Sequence, residues 1–327
     1  MKTPLKWKLP FEAQPLLILC FAAVYLIWGS TFLGIRLAIE TLPPLVMAGL
    51  RFLIAGAVFY AWGRVRGHQA PSASHWGRTA AVGALLIFGG NGLVTWAEIR
   101  VPSGIAALFI ASTPLWMVLL ENWARGRLIP PARIAAGVGL GFLGVFLLLD
   151  PRGILNHGSV NPAGAVALVL SALCWASGSF LAKRISLPSS PLLASGMEMI
   201  WGGLLLLLAA TARGEWLTLD VSQVTLKSWA AFVYLIVFGS WVAFLAYHWI
   251  LRKSSLEKAS TYAFVNPAVA VFLGWVFAGE KITPKILGAT ALILASVALI
   301  LGLFKLRLGK TKLLEKFAPA GGQACPE

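Results

Sequence analysis

Residues 16–36 read LLILCFAAVYLIWGSTFLGIR, and no charge occurs before Arg36. A helix rises 1.5 Å per residue, so this run covers the roughly 30 Å hydrocarbon layer of a bilayer. Lys2, Lys6 and Lys8 precede it, as in a signal peptide. The run is too long for one, no clear A-x-A site closes it, and further runs follow. A helix is the expected state, because it satisfies its own backbone hydrogen bonds without water.

The same reading marks ten apolar segments along the chain: 16–36, 44–63, 79–98, 103–122, 132–150, 162–182, 192–212, 229–250, 257–277 and 284–304. With the N-terminus placed in the cytoplasm, segments on that side carry 19 Lys and Arg, and the opposite loops carry 7. Basic residues stay inside, so both ends are expected in the cytoplasm and the crossings are expected to be even in number. The basic tail, 305–327, is expected at the anionic inner leaflet.

Composition agrees. Hydrophobic residues make up 58% of the 327 residues and charged residues 12%. Mean hydropathy is +0.81. A soluble domain is nearer a quarter charged, and 12% is too little for a water-facing shell. The net charge of +15 comes from short clusters between apolar runs, not from one stripe, which argues against nucleic acid. Cys20, Cys174 and Cys325 form no C-x-x-C pair, so neither a zinc site nor a disulfide framework is expected. Cys20 and Cys174 lie in apolar runs and read as packing thiols.

The two halves repeat at an offset of 147–153 residues. Trp28–Leu33 (WGSTFL) answers Trp175–Leu181 (WASGSFL). Pro44 answers Pro191, Phe88-Gly89 answers Phe238-Gly239, and Thr113-Pro114 answers Asn266-Pro267. Gly126-Arg127-Leu128 answers Gly279-Glu280-Lys281-Ile282. Colinear Pro and Gly matches are harder to obtain by chance than apolar ones. Five crossings per repeat is an odd number, so the second copy enters from the opposite side. The expected fold is all-α integral membrane, ten transmembrane helices as two inverted five-helix repeats, 16–150 and 162–304. Alternating-access transporters use that architecture, with the substrate site near the midplane between the repeats.

On these residues the sequence resembles the EamA family of the drug/metabolite transporter superfamily. The resemblance is carried by WGSTF (28–32), VPSGIAAL (101–108), the T-P and N-P pairs, and GEKIT (279–283) before Gly288–Leu294. It covers about 16–304. It implies ten helices with both termini cytoplasmic and export of amino acids, metabolites or drugs. It also implies a central cavity lined by helices one to four and six to nine, with five and ten outside. Arg127 stands where the second repeat has Glu280, so the G-E motif occurs once.

Several residues are candidates for the substrate site. Arg51 and Glu198 lie inside spans and are repeat mates at an offset of 147. Buried charges in lipid need a partner or a watery cavity, so the two are expected to pair or to mark two ends of a path. Trp28, Trp175 and Trp201 lie deep, and facing aromatics wall pockets for apolar or cationic solutes. Ser30, Asn91, Trp96, Thr113 and Asn266 place polar groups near Gly or Pro breaks. Tyr247 and His248 end segment eight, and His248 has the titration range of a proton carrier. Pro114 and Pro267 break helical hydrogen bonds and are candidate hinges. Glu98 and Glu121, near span ends, read as interfacial carboxylates. Trp7, Trp62, Trp76, Trp123, Trp216 and Trp229 lie at segment ends and fit an aromatic belt.

Gly139-x-Gly141-x-x-Gly144 spells a dinucleotide fingerprint, but no strand precedes it and no acid follows at the right distance. Gly137 and Gly141 read as a close-packing face. No cofactor is expected. The expected partners are a small-molecule substrate and membrane lipid, with the proton as a candidate coupling ion; a monomer and a homodimer are both compatible. A membrane-embedded enzyme acting on a lipid-linked substrate would need clustered acid–base groups or metal ligands, and here they are scattered. A channel or structural subunit is the third class; solute counterflow separates it from a carrier.

Overall fold

A computed structural model gives the fold. It describes residues 13–101, 103–127, 129–148, 161–278 and 284–301. The tail from 305, Glu280 and the GEKIT stretch lie outside the described residues.

The described chain is helical. In order come α1 (Ala13–Ala38), α2 (Pro44–Val65), α3 (Ala73–Ala97), α4 (Ser103–Ile110), α5 (Thr113–Ala124) and α6 (Ala132–Leu148). The second half holds α7 (Pro162–Arg184), α8 (Pro191–Ala212), α9 (Leu226–Lys253), the single turn α10 (Leu256–Ala259), α11 (Tyr262–Ala278) and α12 (Pro284–Leu301). Six of these (α1, α2, α3, α7, α8 and α9) are long and apolar enough to cross a membrane. Shorter apolar stretches cover 132–147 and 287–301. Ile18, Leu26, Leu208 and Leu294 are well exposed on outer faces, a surface that lipid covers and water does not.

The fourth expected segment is two helices, not one. Ser112 Oγ donates to Phe109 O at 2.6 Å and Thr113 Oγ1 to Ile110 O at 2.7 Å. Hydroxyls that take carbonyls compete with the helix ladder. Pro114 then sits in the first turn of α5, where its missing N–H costs little. The break therefore precedes Pro114 and does not result from a proline kink. Pro267 lies inside α11, past the break at 260–261.

α2 packs on α8, and the two run antiparallel. A Cβ on Gly49 of α2 would lie 2.6 Å from Leu207 Cδ2 of α8. One on Gly56 would lie 2.6 Å from Gly196 O, and one on Gly63 2.7 Å from Leu193 Cδ2. α6 and α12 pair in the same sense. Gly137 meets Ile300 at 2.6 Å, Gly141 meets Ser296 Oγ at 2.7 Å and Gly144 meets Ile293 at 2.8 Å. The glycines of the false dinucleotide motif thus build a helix seam, save Gly139, which meets nothing within 4 Å. α1 packs on α9 and α11, while α7 packs on α3, α4 and α5. A space is left between the halves.

Networks close the bundle at both ends. At one end Glu121 pairs with Arg125 at 2.8 Å and Arg184 at 3.2 Å, and Arg125 reaches Glu257 at 3.6 Å. Glu121 is buried in this network. At the other end Lys227 pairs with Glu40 at 2.8 Å, and Glu215 accepts from Leu45 N at 2.7 Å. That carboxylate caps α2, whose own N-cap is Pro43 with no side chain to offer.

Candidate substrate site

The space between the halves is a cavity lined from α1, α2, α3, α4, α5, α7, α9 and α11. Among the described residues α6, α8 and α12 contribute nothing to its wall, so the seventh expected segment, contrary to expectation, stands outside it. Its floor is aromatic. Trp28 meets Trp175 edge to face at 5.2 Å and also touches Tyr247 and Tyr262, each at 4.9 Å. Such geometry suits ring quadrupoles. Buried N–H groups need acceptors: Trp28 Nε1 donates to Gly239 O at 3.2 Å and Trp175 Nε1 to Tyr247 Oη at 3.3 Å. Ser179 Oγ joins Tyr247 Oη at 2.6 Å, and Tyr25 Oη meets Thr261 Oγ1 at 2.5 Å on the Glu121 side.

Two wide turns shape the walls. Residues Ala84–Gly92 of α3 and Leu235–Val242 of α9 are π-helical. Wide turns free carbonyls, and these need partners. Ser171 Oγ of α7 donates to Gly90 O at 2.6 Å, just as Trp28 of α1 donates to Gly239 O. Each wide turn of one half is thus satisfied by a side chain of the other. Both glycines are also needed for space. A Cβ on Gly90 would lie 2.8 Å from Trp175 Cε3, and one on Gly239 2.7 Å from Arg51 Nη2. Sequence reading took Phe88-Gly89 and Phe238-Gly239 only as repeat marks. Ser171, Ser240 and Tyr262 had no signal of their own.

Arg51 is the charged side chain that lines the cavity among the described residues. It is 3% exposed. Its Nε donates to Ser240 Oγ at 2.9 Å, and its Cζ lies 4.5 Å from the Phe52 ring centre. No described carboxylate pairs with it. A guanidinium fork so placed is ready for a planar anion. Asn91, Thr113 and Asn266 share the wall, and Asn266 Oδ1 has no hydrogen-bond partner.

Arg51 and Glu198 do not pair. Their helices run antiparallel, so residue 51 stands level with about residue 204, six or seven residues, or roughly 10 Å, from Glu198. Glu198 instead has His248 Nε2 2.8 Å from its Oε2, with both side chains buried. The approach is close but off the line that a hydrogen bond requires. Neither lines the cavity. Removing one partner leaves the other polar group buried and alone, which costs about 1–3 kcal/mol. Glu198→Leu and His248→Leu are each expected to lower the melting temperature, and the double variant is expected to recover. A double-mutant cycle with coupling below about 0.5 kcal/mol would show two independent residues.

The remaining candidates lie off the cavity. Tyr247 is under its floor. Ser30 bonds Tyr234 Oη and Ile27 O. Trp96 lies beneath the Arg100 guanidinium, 4.2 Å from Cζ. Trp201 meets Trp76 edge to face at 6.2 Å. Pro114 and Pro267 follow Thr113 and Asn266 directly but are themselves not in the wall.

The sequence profile of the EamA-like transporter family matches residues 15–150 and 162–302. The chain belongs to that family. It is a membrane transporter, not an enzyme. The "Uncharacterized inner membrane transporter YedA" of Escherichia coli (strain K12) is 38% identical over 263 residues, 80% of this chain and 82% of its own. "Protein PecM" of Dickeya dadantii is 28% identical over 89% of this chain and 94% of its own. The "Probable amino-acid metabolite efflux pump" of Salmonella typhimurium is 25% identical over 87% and 94%. A solved crystal structure shares the fold, with a TM-score of 0.71 and 21% identity over 88% of this chain and 96% of its own.

Proposed function

We propose that this EamA-family protein is a secondary exporter of the inner membrane, working by alternating access around the Trp28–Trp175 cavity. Its solutes are small organic molecules with an apolar or aromatic body and an anionic group, amino acids and related metabolites among them. Ten crossings as two inverted five-helix repeats, with both ends in the cytoplasm, complete the reading. Antiparallel packing of repeat mates and the inside excess of Lys and Arg support it. The YedA and efflux-pump relatives support the membrane and the direction.

One observation carries the proposal: a buried guanidinium with no carboxylate partner among the described residues faces an aromatic-floored cavity shared by both halves. Burying a lone charge is costly, and a solute that brings the opposite charge recovers that cost. Residues Trp28 and Trp175 form the floor. Thr113, Asn91 and Asn266 present polar atoms to the rest of the solute.

A matched set of indoles tests this. Protein in liposomes is loaded with L-tryptophan, indole-3-acetate, tryptamine or indole, and counterflow is measured. Saturable counterflow is expected for the two carboxylates and not for tryptamine or indole. Equal handling of tryptamine removes the anion reading, and the absence of counterflow with all four removes the carrier reading.

A further inference from the structure

We propose that Glu98 is a proton-binding site through which a pH difference across the membrane drives the solute. The proposal rests on the carrier reading above. Glu98 follows the last residue of α3 and is fully buried at 0% exposure. Neither of its carboxyl oxygens has a hydrogen-bond partner among the described residues. It is therefore not the interfacial carboxylate that its place in the sequence suggests.

The surroundings explain what form it takes. Val94, Ala97 and Val101 flank it and belong to an apolar cluster with Phe32, Ala106 and Leu168. An ionised carboxylate in such a place is costly, whereas the neutral acid is far less so. Arg36 is the charged group that faces it from α1. Its Nη1 donates to the Glu98 backbone carbonyl at 3.0 Å, and no ion pair forms with the carboxylate. Arg100 turns away over Trp96. α2 brings Arg51, which is held on Ser240, and residues 162–173 of α7 and 103–110 of α4 carry no ionisable side chain.

The same face of α3 leads to the cavity. Asn91 and Val94 line it, and Glu98 follows them at the i+7 and i+4 positions. A solute resting on Asn91 and Val94 stands between Glu98 and the water of the cavity. The carboxyl is shut from that water in this structure, so its proton exchanges when the end of α3 parts from its apolar cluster during turnover. An ionised Glu98 then has Arg36 as a counter-ion already against the same residue. Only the O–H bond forms and breaks, and the proton passes to or from bulk water on the side to which the cavity opens. Solute and proton thus occupy the carrier in alternation.

Infrared difference spectra of the full-length protein in liposomes test the site without any solute. Wild type minus Glu98→Gln at pH 7 is expected to show the carbonyl stretch of a protonated acid. Carboxylate bands in its place overturn the proposal. Glu98→Gln is expected to melt at or above the wild-type temperature, because no bond is lost; a clear fall also overturns it. With L-tryptophan as probe, pH-driven accumulation is expected to fall at least about tenfold in Glu98→Gln, a typical size for coupling between sites. Counterflow is expected to persist, and Glu98→Asp is expected to keep part of the pH response. Driven accumulation equal to wild type overturns the coupling. Absence of L-tryptophan counterflow in wild type is a failure of the carrier reading, and the infrared result still decides the proton site.

Discussion

Arg51→Met is expected to abolish transport of carboxylate solutes while leaving the protein folded. Removing one side of a charge-assisted pair in a desolvated site costs about 2–4 kcal/mol, a factor of roughly 30–1000 in apparent affinity. Stability is expected to hold or rise. Among the described residues Arg51 makes one hydrogen bond and one ring contact, and has no acid to leave stranded. Replacing a buried charge by an apolar chain of similar length is commonly neutral or stabilising. Arg51→Lys keeps the charge but loses the planar fork, so it is expected to fall between the two. Indole counterflow, if created by Arg51→Met, gives the positive side of the same argument. The combination to measure is melting temperature against counterflow KM. A loss of both together assigns Arg51 to structure instead of substrate.

Much of the fold was readable from hydropathy alone. Apolar runs fixed where helices lie, because lipid leaves the backbone no other partner. Colinear Trp, Pro and Gly marks paired the halves, and Trp28 and Trp175 do meet on the cavity floor. The misreadings share one cause. Sequence offset equates Arg51 with Glu198, but antiparallel mates at equal offset stand at different depths. Distance along the chain also says little about water. Glu98 and Glu121 both end spans, yet one is sealed in an apolar cluster and the other is held by Arg125 and Arg184. The wide turns were not legible, since a π-turn depends on a partner from the other half to take its free carbonyl.

Those two turns and the two glycine seams divide the labour of the fold. The turns let a side chain of each half reach into the backbone of the other around the cavity. The seams, α2 on α8 and α6 on α12, hold the halves together elsewhere. A carrier that exposes its site to each side in turn needs both a region that rearranges and a region that stays joined. The networks at the Glu121 end and the Lys227 end are made of ion pairs, which can part without opening an apolar core.

Gly56→Leu and Gly203→Leu are expected to prevent folding. Gly49, Gly56 and Gly63 recur every seven residues on α2, and Gly196 and Gly203 do so on α8. Gly56 with Gly196, and Gly49 with Gly203, set backbone against backbone. A Cβ at Gly56 would stand 2.6 Å from Gly196 O and 2.7 Å from Ile200 N, and one at Gly203 2.7 Å from Leu53 N. A side chain in the way can rotate, but a backbone atom can move only with its helix. Overpacking a core with soft neighbours costs about 1–3 kcal/mol. Here the whole helix pair must part, so the cost is expected to exceed that range and to consume much of a marginal stability of about 5–15 kcal/mol. Gly139→Ala is the control, since a Cβ there meets nothing within 4 Å, and a gain of up to about 1 kcal/mol is expected from helix propensity. Monodispersity on gel filtration and the melting temperature read both outcomes. A Gly56→Leu protein that stays monodisperse and melts near wild type would mean the halves are not held together along α2 and α8. The cavity between them would then have no fixed wall for Arg51 to stand in.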